Sequence, residues 1–97
     1  MFRHIVLLQW KENTPEEAVQ AVTAVYAQLA ALIPEIRNYQ FGPDLKLYAS
    51  NADYALVADF DNEDDFKRYV AHPAHGELMA EVSMPIMASY SSVQFQC

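Results

Sequence analysis

One cysteine, at the last position (Cys97), and two glycines, Gly42 and Gly76, occur in 97 residues. A single thiol cannot close an internal disulfide, so a reducing compartment is expected, with the cytoplasm as the location. Two isolated glycines leave no phosphate-cradling loop. No serine sits in a nucleophile elbow, and the terminal cysteine is poorly placed to act as a nucleophile. Lysine and arginine number 6 against 13 acidic residues, a net charge of -7. That balance leaves no basic stripe for nucleic acid and nothing to draw the chain to an anionic membrane. The opening run Ile5-Val6-Leu7-Leu8 is too short for a signal-peptide core and meets Lys11-Glu12 without a small-residue cleavage pattern, so an unprocessed chain is expected. Low-complexity segments and internal repeats are also missing.

What is present is a 53% hydrophobic composition, enough for one core and a single domain over residues 1–97. Phe2 to Trp10 is apolar and β-branched and reads as a strand. Thr14-Pro15-Glu16-Glu17 predicts a helix start with a capping box, Thr14 as the cap and Glu17 as its acid. Ala18, Val22, Val25, Tyr26, Leu29 and Ile33 then form a stripe at helical spacing that ends at Pro34. Arg37 to Phe41 alternates as a second strand before a turn at Gly42-Pro43-Asp44, and the polar stretch from Leu45 to Ala52 has no clear period. Asp53 to Phe60 predicts a third strand, with Asp61 or Asn62 capping a helix from Glu63 to Ala71. The acidic residues from Asp59 to Asp65 suit a helix N-terminus and a solvated face. Pro73 to Met84 reads as helical, with Pro85 breaking or re-entering it, and Ser91 to Gln96 predicts the fourth strand. The order βαββαβ is the ferredoxin-like α+β unit.

Two of the three histidines lie in Tyr69-Val70-Ala71-His72-Pro73-Ala74-His75. A residue before proline avoids helical dihedrals, and proline suits a first helical position, so His72-Pro73 predicts a corner between two helices. His75 falls in the first turn of the second helix, where the helix dipole favours the neutral imidazole and a general base is well placed. His72 is expected to bond its ring to nearby backbone and fix the corner. Taken by spacing alone, the segment also reads as an ordinary polar corner. His72 and His75 with His4 and a carboxylate would be needed for zinc, and the interrupting proline leaves that set short, so no metal is expected. In the first strand His4, Val6, Leu8 and Trp10 point one way and Ile5 and Leu7 the other. The third strand likewise divides Tyr54, Leu56, Ala58 and Phe60 from Ala55 and Val57. Two helices cover one face of a four-stranded sheet, so the second apolar face predicts a homodimer with sheets facing each other.

Arg3-His4-Ile5-Val6-Leu7-Leu8, Ile33-Pro34-Glu35-Ile36, Phe41-Gly42-Pro43-Asp44, and Tyr69 followed by His72-Pro73-Ala74-His75 together resemble the stress-responsive A/B barrel (Dabb) family over nearly the whole chain. The resemblance implies a dimeric α+β barrel. Enzymes of the family include polyketide cyclases, which close a linear tetraketide by intramolecular aldol condensation, and hydroxynitrile lyases. By that resemblance His75 acts in proton transfer, Tyr69 assists it, and His4 with Tyr26 lines the pocket. Val6, Leu8, Val22, Leu56, Phe66, Leu78, Met79 and Ile86 are candidate apolar walls. The segment Gly76 to Ser89 is rich in methionine and lacks the cyclase's bulky aromatics, so pocket size and substrate do not carry over. The expected function is a cofactor-independent cyclase or lyase acting on a small polyketide-like or aromatic molecule. A non-catalytic stress-responsive or ligand-binding protein is the alternative. A haem or quinol oxygenase of the dimeric barrel type is the third.

Overall fold

The computed structural model describes Met1 to Cys97. Strand β1 (Phe2–Trp10) leads into helix α1 (Glu16–Leu32), strand β2 (Asn38–Pro43) and strand β3 (Tyr54–Phe60). Helices α2 (Glu63–Ala71) and α3 (Pro73–Leu78), a π-helical turn (Met79–Ser83) and a 3-10 turn (Met84–Ile86) precede strand β4 (Met87–Gln96). The sheet order is β2-β3-β1-β4 with every neighbouring pair antiparallel, and the helices cover one face. This is the ferredoxin-like α+β architecture that the element order predicts.

Helix α1 begins without the expected capping box. Pro15 holds the cap position and offers no side-chain bond, while the Thr14 hydroxyl donates to the Lys11 carbonyl at 2.6 Å. Asn13 takes a left-handed conformation (φ 61°), so the turn that precedes the helix claims the threonine first. Val22, Val25, Tyr26 and Leu29 are buried as their spacing requires, with Ile33 beside them and Ala18 half-buried. Ile33 is extended before Pro34 and ends the helix.

Strand β2 runs two residues beyond its expected end, through Gly42 and Pro43, which pair with Ala55 and Tyr54. An edge strand tolerates proline where an inner one would lose a ladder bond, so the turn moves on to Asp44. Asn62 caps α2 by accepting from the Asp65 amide at 2.9 Å, and Asp59, expected in the solvated acidic run, is instead buried against Arg3 at 2.7 Å. The helical stretch after Pro73 changes type twice, ending around Pro85. Strand β4 then starts at Met87, four residues before its expected start at Ser91, because β1 offers pairing partners as far as Trp10, past a bulge at Gln9/Trp10.

Register decides which side chains share a face. Across the inner face, beneath the helices, run Tyr39–Ala58–His4–Gln94, then Phe41–Leu56–Val6–Ser92, then Pro43–Tyr54–Leu8–Tyr90. The outer face carries Asn38–Asp59–Arg3–Phe95 and then Gln40–Val57–Ile5–Val93. Strand β4 therefore inverts the usual polarity. Its inward side chains at 90, 92 and 94 are Tyr, Ser and Gln, whereas Val93 (53% exposed) and Phe95 (43% exposed) point away from the helices.

Candidate active site

The row Tyr39–Ala58–His4–Gln94 lies beneath the α2–α3 corner. Ala58 ends at Cβ and is fully buried, so the larger groups on either side of it and the corner residues meet above it. Tyr69, near the end of α2, reaches down so that its hydroxyl lies 2.6 Å from the Tyr39 hydroxyl. The His75 ring packs edge-on against Tyr69 with 4.7 Å between centroids, and Phe66 lies 4.7 Å from the His4 ring. The corner itself is held by His72. It is extended (φ −63°, ψ 133°), closes α2, caps α3, and accepts the Ala74 amide on Nδ1 at 3.1 Å. The His72 ring thus bonds to nearby backbone beside Pro73.

His4, Gln94, Phe66, Tyr69 and His75 open onto one cavity of about 380 Å³ between the sheet, α2 and the segment after α3, while Tyr39, Ala58 and His72 stand behind its wall. From the sheet, His4, Val6, Leu8 and Leu56 line it; from the helices come Tyr26, Phe66, Tyr69 and His75; Met79 follows from the π-helical turn. Three expected wall residues lie elsewhere. Val22 is wholly buried in the core, and Leu78 and Ile86 pack against that core from outside the cavity. Irregular winding of the segment from Met79 to Ile86 turns other side chains inward, so Met84 and Met87 take the places expected for them. Val70, Tyr90, Ser92 and Gln94 complete the lining and were not anticipated. The signal for Ser92 and Gln94 was present, since they alternate with Val93 and Phe95. The apolar pair draws the eye toward the core, and only the register shows it facing out.

Burial sets the protonation states. Burial pushes His4 down to about 4, and the nearby His75 adds to the effect. Gln94 Nε2 lies 2.8 Å from His4 Nδ1; with the amide donating, the His4 proton sits on Nε2 and the ring is a neutral donor. His75 is also lowered, first by burial and then by His72. Burial is thus the main cause that favours the neutral His75 imidazole. No intramolecular hydrogen bond holds its ring nitrogens, which leaves the imidazole free to accept a proton. Burial raises Tyr69 to about 12, while the hydroxyl of Tyr39 acts in the opposite sense. Tyr26 is raised as well, chiefly by burial. The Tyr69 and Tyr26 hydroxyls therefore keep their protons at neutral pH.

A second cavity, of about 410 Å³, opens on the outer sheet face beside Leu7, Pro43, Leu45 and Ala55. It contains no histidine; His4, Tyr69 and His75 lie on the other side of the sheet. No cluster of side chains forms a metal site, and no helix is long and apolar enough to cross a membrane.

A four-stranded antiparallel sheet with helices on one face and a histidine–tyrosine cavity between them defines a ferredoxin-like protein of the α+β barrel class. The chain belongs to the stress responsive A/B barrel domain family (Dabb), whose family model matches residues 2–97. A solved structure from Thermobifida fusca, a ferredoxin-like protein described as dimeric and of unknown function, is 42% identical. It superposes with a TM-score of 0.90 over 99% of this chain and 90% of its own. Olivetolic acid cyclase of Cannabis sativa is 23% identical over 75 residues, 75% of this chain and 74% of the cyclase. Hydroxynitrile lyase from Passiflora edulis shares the fold at a TM-score of 0.83, with 22% identity over 97% of this chain and 90% of the lyase.

Proposed function

We propose that the cavity is the active site of a cofactor-independent lyase or cyclase that moves protons on a small aromatic or polyketide-like molecule. The observation that supports this most strongly is the placement of an unbonded, neutral His75 against a Tyr69 whose hydroxyl is oriented by Tyr39. In the cyclising direction His75 takes a proton from a carbon next to a carbonyl. The Tyr69 hydroxyl and the His4 Nε2–H donate to the oxygen on which charge develops, and Tyr26 orients the same end of the molecule. The enolate carbon then bonds to a second carbonyl carbon, and the resulting alkoxide recovers the proton from His75. In the cleaving direction His75 takes a hydroxyl proton, the carbonyl forms as the carbon–carbon bond breaks, and the departing carbon takes the proton back from His75. The active form is read as a homodimer joined through the outer sheet faces, in keeping with the dimeric description of the Thermobifida relative, and the working location as the cytoplasm.

The test uses a probe with acidic C–H bonds. The methyl protons of 4-butylacetophenone in D2O are followed by NMR, together with aldehyde release from an aromatic cyanohydrin. Wild type is expected to accelerate at least one of these reactions, and His75→Ala to lower that rate by about 100-fold or more. A folded His75→Ala with an unchanged rate would overturn the assignment of the base.

A further inference from the structure

All three internal methionines, Met79, Met84 and Met87, line the cavity, and no lysine, arginine, aspartate or glutamate does. The missing cations are engaged elsewhere. Arg3, Arg37, Lys46, Lys67 and Arg68 each pair with a carboxylate at 2.7–3.4 Å. The remaining cation, Lys11, is exposed just past the end of β1 and outside the lining.

The register also gives the cavity two ends. His4 and Gln94 stand at one, with Tyr69 and His75 above them; Leu8 and Tyr90 lie four residues along the strands, about 14 Å away at a strand rise of about 3.4 Å per residue. Met87, opposite Trp10, and Met84, in the turn just before it, belong to this second end. Thioether side chains are apolar and adapt to irregular shapes, whereas the first end offers N–H and O–H donors without charge. Size follows from packing. A cavity of about 150 Å³ holds a benzene ring, so about 380 Å³ suits about 15 non-hydrogen atoms.

We propose that this cavity takes an uncharged, elongated ketone or aldehyde of about 15 non-hydrogen atoms, its oxygen at the His4–Tyr69 end and an apolar tail among the methionines, and that it rejects carboxylates. A carboxylate brought to the buried His4–Tyr69 end would lose its water without meeting a cation, which disfavours it far more than a ketone of the same shape. The inference names the substrate class for the active site proposed above and rests on that reading.

The matched probes are 4-butylacetophenone and 4-butylbenzoate, with the same number of non-hydrogen atoms and the same tail. They are titrated at pH 7 into protein carrying 13C-methyl methionine. The ketone is expected to shift the Met79, Met84 and Met87 signals and leave Met1, which is outside the lining, unmoved, with an affinity at least tenfold above that of the carboxylate. Ser92→Lys, an exposed position in the cavity wall, is expected to raise carboxylate affinity tenfold while the fold, checked by circular dichroism, is retained. Equal or tighter carboxylate binding to wild type overturns the proposal. So does an unmoved methionine spectrum at the solubility limit of the ketone, or a folded Ser92→Lys that gains nothing for the carboxylate. Ketone binding without proton exchange would sink the catalytic reading and leave the specificity intact.

Discussion

Protonating His4 inside the fold means charging a ring that burial has stripped of water. Its folded value of about 4 lies below the ordinary value of 6.5. Between those two pH values the unfolded chain binds more protons than the folded one, so stability falls as pH is lowered through that window. The loss is at most about 3 kcal/mol. Urea denaturation at pH 7, 5.5 and 4.5 should show this decline, and His4→Gln should flatten it; parallel slopes would remove His4 as the cause. Asp59 is held below its usual value mainly by its hydrogen bonds to Arg3, so its contribution is lost only on further acidification, below its ordinary 3.8. As the proposed base, His75, also lowered, acts only when neutral. Turnover should therefore persist below pH 6.5 and fall at a more acidic point, and a rate that instead declined above neutrality would contradict the role. Tyr39→Phe removes the only partner of the Tyr69 hydroxyl. It should lower stability by about 1 kcal/mol and slow proton exchange less than Tyr69→Phe does. Tyr39 was absent from the sequence-derived site because a tyrosine alternating with Phe41 on a strand reads as core; its role depends on meeting Tyr69 across 30 residues of chain.

The short elements after Ala71 control how the cavity is closed. His72 serves two helices at once, so His72→Ala removes a cap bond and should reduce stability by about 1 kcal/mol, much as Asn62→Ala should at the start of α2. Thermal unfolding reads both, and a His72→Ala protein as stable as wild type would deny the ring its corner role. In the π-helical turn, Ser83 is fully buried and its hydroxyl has no partner. Such a group weakens a fold by about 1–3 kcal/mol, so Ser83→Ala should raise stability by about 1 kcal/mol; a loss instead would show that the hydroxyl is satisfied. The corner was legible because proline and its preceding residue are restricted by local sterics alone. The winding from Met79 to Ile86 was not, since no local rule tells a π-helical turn from an α-helical one. For that reason Leu78 and Ile86 were expected in the cavity where Met84 and Met87 stand. The capping box failed in the same manner at the other end, where a turn at Asn13 outcompeted the helix for Thr14.

At the scale of the whole molecule, the two faces of the sheet make opposite demands. The inner face buries His4 beneath the helices and leaves the β4 edge, with Tyr90, Ser92 and Gln94, exposed, while the outer one shows Ile5, Leu7, Val57, Val93 and Phe95, with Leu7 43% exposed. Pairing two such faces removes that surface from water. Light scattering should give a dimer for wild type at micromolar concentration and a monomer for Leu7→Glu or Val93→Glu, each of which sets like charges into the paired sheets. A monomeric wild type would end the homodimer reading. The sequence by itself determined the βαββαβ order, the corner and the two-faced apolar strands, because strand alternation, helical spacing and proline sterics act between residues close in the chain. Only the tertiary structure decided that Gln94 orients His4, that Tyr39 orients Tyr69 and that the methionines share a cavity with both. Those contacts depend on strand register and on helix winding over the sheet, and they join side chains far apart in sequence whose positions no local preference specifies.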